Sequence, residues 1–378
     1  MLRALKNRKA RGWLLQGATL AIAILLVATF VLTARHNLLS QGIATGFGFL
    51  ERSTGWPINF SLIDISDRSP YWEMLLAGFL NTLLVGILGI TLATVIGVTV
   101  GLARVSTNFM LNFIGTVFVE IFRNVPLILQ VIFWYALLTH LPRPREAYDI
   151  GGAIFLTNRG LIVPAFDMSS ADIALFCAGF VALVVAGVVL ARRIGGLAAT
   201  ALVIAASTVL FLTLLYTGRT PDAPVFTLPA MKGLRFAGGF DIKPEFFALL
   251  VSIAIFGGAY VGEIVRAGFL SVDQGRVEAA RALGLSGWQV NRFVRIPLAV
   301  RAILPALSNQ YIWLMKATTL GIAIGFPDYF MVVSTSINQS GQTMELLALL
   351  MGGFLVINYA MGAGLNILNG RLTLKGRN

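Results

Sequence analysis

Residues 271–297 read SVDQGRVEAARALGLSGWQVNRFVRIP, a polar and basic interruption between two long apolar runs. Ser271 and Gln274 stand three apart, as do Ser286 and Gln289. That is the spacing of a capping box, which satisfies the free N–H groups at a helix start. Gly284 falls where a first helix would stop, and glycine readily takes the left-handed conformation of a helix stop. Pro297 is expected to end a second helix. The prediction is helix, glycine turn, helix. On the first helix Val277, Ala280 and Leu283 share a stripe, with Ala279 adding a small surface beside it. On the second, Val290, Phe293 and Val294 share a face, while Arg292 and Arg295 point elsewhere. By pattern alone, such a hairpin either packs back on its own bundle or offers a surface to another protein.

The chain around it is 378 residues long, 57% hydrophobic and only 12% charged. Soluble domains carry about 25% charged residues. Apolar runs of 18 or more residues recur, each long enough to cross a bilayer. The short alternating segments of a membrane β-barrel are missing. The fold class is therefore all-α: a polytopic transmembrane bundle of about eight helices. They are placed at about 13–33, 73–103, 122–139, 172–191, 197–216, 245–268, 302–325 and 343–368. The third contains Pro126, expected to kink it. Residues 105–121 are left between the interface and this third span. Residues 34–70, 140–170 and 217–244 read as loops, and Tyr71 with Trp72 as an interfacial anchor. The first apolar run is longer than a signal-peptide core and no clear A-x-A site ends it, which favours a retained helix.

The net charge is +12, yet the basic residues sit mostly in short loops, where they orient a membrane protein rather than bind nucleic acid. Eight helices put both termini on one side. With that side cytoplasmic, Arg3, Lys6, Arg8, Lys9, Arg11, Arg104, Arg192, Arg193, Arg266, Arg371, Lys375, Arg377 and the hairpin's arginines all face inward. The outer loops then hold fewer basic than acidic residues, and the hairpin lies in the cytoplasm. Cys177, the only cysteine, sits in an apolar run and reads as a buried thiol. His36 and His140 fit no metal motif, so no metal site is expected.

Glu278-Ala279-Ala280, Gly284 and Val294-x-Ile296-Pro297 resemble the EAA loop of ABC-importer permeases, E-A-A-x3-G-x9-I-x-L-P, with two mild departures at Val294 and Ile296. The segments GAYVGEIVRAGF (258–269), NQYIWLMKATTLG (309–321) and FVEIFRNVPLILQ (118–130) resemble the polar amino-acid uptake branch of that family. The likeness covers about 70–140 and 245–368. Residues 140–244 form an insert with two extra helices, which together with the N-terminal helix resembles the general L-amino-acid permease type. The resemblance divides the chain into a membrane helix and external loop (1–70) and a permease domain (71–370) with its coupling loop at 271–297. It implies that Glu278, Ala279, Ala280, Gly284, Val294, Ile296 and Pro297 couple to a separate ATPase. It also implies a second, related permease chain, a periplasmic amino-acid-binding protein and an inner-membrane location. In that family ATP-driven closure of two ATPases moves these helices and swings the bundle from inward-open to outward-open. Small Ala279 and Ala280 would let the partner approach closely.

This chain has no GxxxxGK[ST] phosphate loop and no catalytic constellation. It is not expected to be an enzyme or to hold a cofactor; ATP and magnesium belong to the partner. Polar residues inside membrane helices are candidates for a translocation path. They are Asn81, Thr82, Glu120, Arg123, Gln130, Glu263, Arg266, Asn309, Gln310, Lys316, Thr318 and Thr319. Each has a structural alternative. Glu263 and Arg266 can pair within one helix, Arg123 can snorkel, and Asn81 and Thr82 can bond between helices. The rival function is an ion-gradient-driven secondary transporter. Such carriers show matching broken helices, and only GIAIGFPD (321–328) suggests a break. A membrane scaffold would explain the bundle but not the hairpin's spacing.

Overall fold

The computed structural model describes residues 8–40, 46–168, 195–218, 224–233 and 235–372, with scattered positions between 172 and 190. Cys177, Arg192, Arg193 and nearly half of the expected fourth helix lie outside the described residues. Five described helices are long and apolar enough to cross a membrane, and two bent pairs raise the number to as many as seven.

Helix α1 (Arg8–Ser40) leads to a 3-10 turn at Phe47–Glu51 and then to α2 (Tyr71–Arg104). The stretch read as a loop before α2 is packed. Phe49 is buried against Tyr71, and Phe60 stacks on Phe246 with ring centroids 5.1 Å apart. Of the expected anchor pair, only Trp72 stays exposed; Tyr71 is buried.

Helix α3 (Phe109–Asn124) and α4 (Leu127–Thr139) replace the single kinked helix expected at 122–139, and they meet at 100°. Val125 is extended and Pro126 caps α4. The residue before a proline is driven out of the α region, so the chain breaks here instead of bending. The side chain of Gln130 holds the corner by donating to Phe122 O at 2.9 Å and Val125 O at 3.0 Å.

Both loops expected at 140–170 and 217–244 contain strands, so the bundle carries a small β layer. A four-stranded antiparallel sheet has the order β1 (Tyr148–Ile150), β2 (Ile154–Thr157), β3 (Gly160–Val163) and β8 (Phe240–Ile242). Two further pairs join β4 (Ala165–Phe166) to β5 (Phe226–Thr227) and β6 (Ala230–Lys232) to β7 (Arg235–Ala237). The strands run three or four residues at most, too short for alternation to stand out in the sequence. Helix α5 (Gly196–Thr217) lies within this segment.

Helix α6 (Pro244–Leu270) is the most buried span and packs most intimately on α2. Gly97 and Gly101 of α2 face Gly258 and Gly262 of α6. A Cβ at Gly101 would come 2.6 Å from Val265 Cβ, and one at Gly258 would come 2.6 Å from Ile96 Cγ2. Small residues four apart let membrane helices approach closely, and dispersion then holds them where water drives nothing.

The hairpin follows as α7 (Gln274–Ala282) and α8 (Gly287–Val290). A π turn at Asn291–Arg295 passes directly into α9 (Ile296–Ala317) and a 3-10 segment, Thr318–Ile324. The helical rod therefore runs unbroken from Gly287 to Ile324, ~55 Å at about 1.5 Å per residue. It then bends by 50° into α10 (Tyr329–Ser340), a helix in residues first left between two spans. Helix α11 (Thr343–Leu372) ends the described chain.

Candidate coupling hairpin and transmembrane path

The hairpin has its own small core. Val277, Ala280 and Val290 are buried together, with Val272, Leu285 and Val294 packed around them. Ser286 and Gln289 form the expected capping box, with Ser286 N donating to Gln289 Oε1 at 2.8 Å. The other expected box is replaced. Asp273 caps α7, accepting from Gly275 N at 3.0 Å, while Ser271 ends α6 and donates to Gly268 O. Asp273 stands two residues nearer the true start, and a carboxylate is as good a cap as serine. Gly284 takes φ +79°, with nothing within 4 Å of where a Cβ would stand.

Pro297 starts a helix instead of ending one. It sits in the first turn of α9, just after the π turn. Ile296 N donates to Asn291 O, five residues back. That wider turn spares Pro297 the bond it cannot make and the carbonyl it would strike in a regular helix.

Burial divides the expected coupling residues. Glu278, Ala279, Gly284 and Ile296 are exposed, and Val294 and Pro297 are partly covered. Ala280 is buried inside the hairpin, so it cannot offer the close approach expected of it. Leu283 and Phe293 leave the inward stripes and are 83% and 63% exposed. Trp288 is exposed as well and meets Phe293 edge-on, with centroids 6.4 Å apart. A short hairpin has inward room for about one residue per turn, and Val277, Ala280 and Val290 fill it. The outward surface is thus apolar at Leu283, Trp288 and Phe293, and charged at Glu278, Arg281 and Arg292.

The candidate path residues separate into three groups. Asn81 and Thr82 are fully buried and tie α2 to the second break. Asn81 Nδ2 donates to Phe60 O at 3.0 Å and Pro327 O at 2.9 Å, and Thr82 Oγ1 accepts from Tyr329 N at 2.9 Å. Gln130 holds the first break as described, and Thr318 bonds back to Met315 O at 2.9 Å. These residues build the frame. Glu263 lies between helices: it is ion-paired with Arg104 of α2 and with Arg266 at 2.7 Å. Glu120, Arg123, Asn309 and Lys316 are exposed, while Gln310 and Thr319 are partly buried. Arg123 lies over the Tyr260 ring, 5.9 Å from its centroid, a cation–π contact. Asn81, Thr82, Gln130 and Thr318 thus serve the frame, whereas Glu120, Arg123, Asn309 and Lys316 lie on exposed surface.

The sequence reading missed Asp328. It is fully buried at the second break, caps α10 through Met331 N at 2.9 Å, and leaves Oδ2 without a partner among the described residues. The signal was present in GIAIGFPD, where an acid follows Gly and Pro in an apolar run. The two breaks are neighbours: α4 packs on the 3-10 segment Thr318–Ile324.

Residues 89–373 match the family described as "Binding-protein-dependent transport system inner membrane component". The chain belongs to that family. It is 37% identical to the ABC transporter permease protein YhdX of Escherichia coli strain K12, over 98% of this chain and 96% of the relative. It is 35% identical to the general L-amino acid transport system permease protein AapQ of Rhizobium johnstonii, over 94% and 92%. It is 33% identical to the glutamate/glutamine/aspartate/asparagine transport system permease protein BztB of Rhodobacter capsulatus, over 90% and 88%. Dependence on a binding protein separates this permease family from ion-gradient carriers, despite the pair of broken helices. The full-length matches include the strand-bearing segment between α4 and α6, so the insert is shared with relatives of this type.

Proposed function

We infer that this chain is a membrane-spanning subunit of an ATP-driven importer for amino acids, and that residues 271–297 couple it to a separate ATPase. The observation that carries this is the hairpin's surface. A segment with a closed core of Val277, Ala280 and Val290 turns Leu283, Trp288 and Phe293 outward, where exposed aromatics mark a protein contact. Helix α8 continues through α9 to Ile324, so a push on the hairpin arrives at the second break. There Asn81 and Thr82 hold α2. The charge distribution supports cytoplasmic termini and hairpin, and the family's description supports an inner-membrane location. The remaining partners are a second permease chain related to this one, a periplasmic binding protein, and the ATPase, which supplies ATP and magnesium chemistry. The substrates for which these relatives are named support amino acids as cargo, including polar ones.

Uptake in proteoliposomes tests the assignment. The reconstituted complex should accumulate radiolabelled L-glutamine and L-glutamate when ATP and the binding protein are supplied. A sodium or proton gradient alone should drive none. Accumulation driven by an ion gradient without ATP would sink the importer reading. Glu278→Arg should insert normally but lose ATPase on co-purification; normal uptake by that variant would remove Glu278 from the contact.

A further inference from the structure

The sheet between α4 and α6 takes no part in the coupling just described. Its strands β3 and β8 run antiparallel, with Leu161 opposite Ile242 and Ile162 opposite Asp241. Gly160 begins β3 and Lys243 directly follows β8, at the same end of this pair. Gly160 takes φ +129°, and a side chain there would strike the Ile242 carbonyl, so glycine alone lets the strands close. The result sets Arg159, Asp241 and Lys243 side by side.

Between them opens a cavity of about 370 Å³, with Ile162 and Phe236 as apolar wall. That lies in the range of small-molecule sites, about 300–1,000 Å³. Lys243 Nζ donates to Asp241 Oδ2 at 2.6 Å. Among the described residues, Asp241 Oδ1 and the Arg159 guanidinium make no bond. The cavity thus presents an open guanidinium, an open carboxylate oxygen and an apolar surface. A guanidinium grips a carboxylate through two parallel bonds. The open carboxylate oxygen suits an ammonium.

We propose that this cavity binds a free α-amino acid, its carboxylate on Arg159 and its ammonium on Asp241 Oδ1. The inference rests on the amino-acid reading above. The cavity sits at the start of α6, and the hairpin sits at its end, ~40 Å away at about 1.5 Å per residue. Leu156 and Ile242 of the sheet pack on the main bundle core, and Lys243 precedes the first turn of α6. A ligand here would therefore brace the end of α6 opposite the hairpin.

The test uses the purified permease–ATPase complex in nanodiscs of zwitterionic lipid, without binding protein. Equilibrium binding of tritiated L-glutamine and L-glutamate should saturate. It should weaken at least tenfold in Arg159→Ala and Asp241→Asn, and less in Arg159→Lys, with basal ATP hydrolysis unchanged in all three. Arg159 is exposed, so its loss leaves the sheet intact. Equal binding by wild type and Arg159→Ala overturns the proposal, as does the lack of saturable binding in wild type. Acetate competing as well as the amino acids would overturn the zwitterion assignment. A complex that imports amino acids with ATP yet fails these binding tests loses only this inference; failure of ATP-driven uptake falls on the functional reading instead.

Discussion

Gly284 shows how one residue sets the direction of the hairpin. Its φ of +79° is left-handed, and the space beside it is open. A side chain there meets no clash, only backbone strain of about 1–2 kcal/mol. Gly284→Leu should leave the protein in the membrane but lower the amount of ATPase that co-purifies, whereas Gly284→Asn, whose side chain tolerates this conformation, should keep most of it. Equal loss in both would mean that surface chemistry and not backbone angle matters at this position. Asp328 presents the opposite case. Its burial and its unpartnered Oδ2 are invisible in a sequence that offers only an acid after a proline.

At the scale of elements, the hairpin is too small to stand alone. Burying Val277 and Val290 contributes about 1.5–3 kcal/mol each, while fixing each backbone residue costs about 1–2 kcal/mol. Its order depends on α6 entering and α9 leaving as continuous helices. Core and surface should accordingly respond differently. Ala280→Leu overfills the small core, at a cost of about 1–3 kcal/mol, and should expose the hairpin to limited proteolysis. Trp288→Ala with Phe293→Ala should leave the proteolysis pattern unchanged and abolish stimulation of ATP hydrolysis by the binding protein. Retained stimulation would show that the exposed aromatics lie outside the contact. The α2–α6 pair is the second element under tension. Gly101→Leu must force Val265 away, so the variant should be degraded in the membrane; stable, active protein would mean that the close approach at Gly101 is dispensable.

At the scale of the molecule, periodicity and charge were legible because lipid imposes them. A span needs about 20 apolar residues, and loop arginines sort by side. The spans at 13–33, 73–103, 197–216, 245–268 and 343–368 all fall inside helices of the structure. The hairpin's glycine stop and its second cap were legible as well, since both act over three or four residues. Where the sequence reading went astray, the deciding contact was distant. Pro126 breaks a helix that it was expected to bend, because Gln130 can bond the freed carbonyls at the corner. Pro297 opens a helix because a π turn precedes it. The strands of the insert escape notice because they are only two to four residues long, and the pairing that closes the four-stranded sheet joins residues about 80 apart, as Leu161 with Ile242 does. The sequence by itself therefore determined those five spans, the helix–turn–helix form of the hairpin and the family, all carried by local spacing. Only the tertiary structure decided which side of the hairpin faces out, where the two broken helices meet, and that Arg159 and Asp241 share a cavity. Those outcomes depend on which distant groups compete for the same buried space, and local spacing carries no record of that.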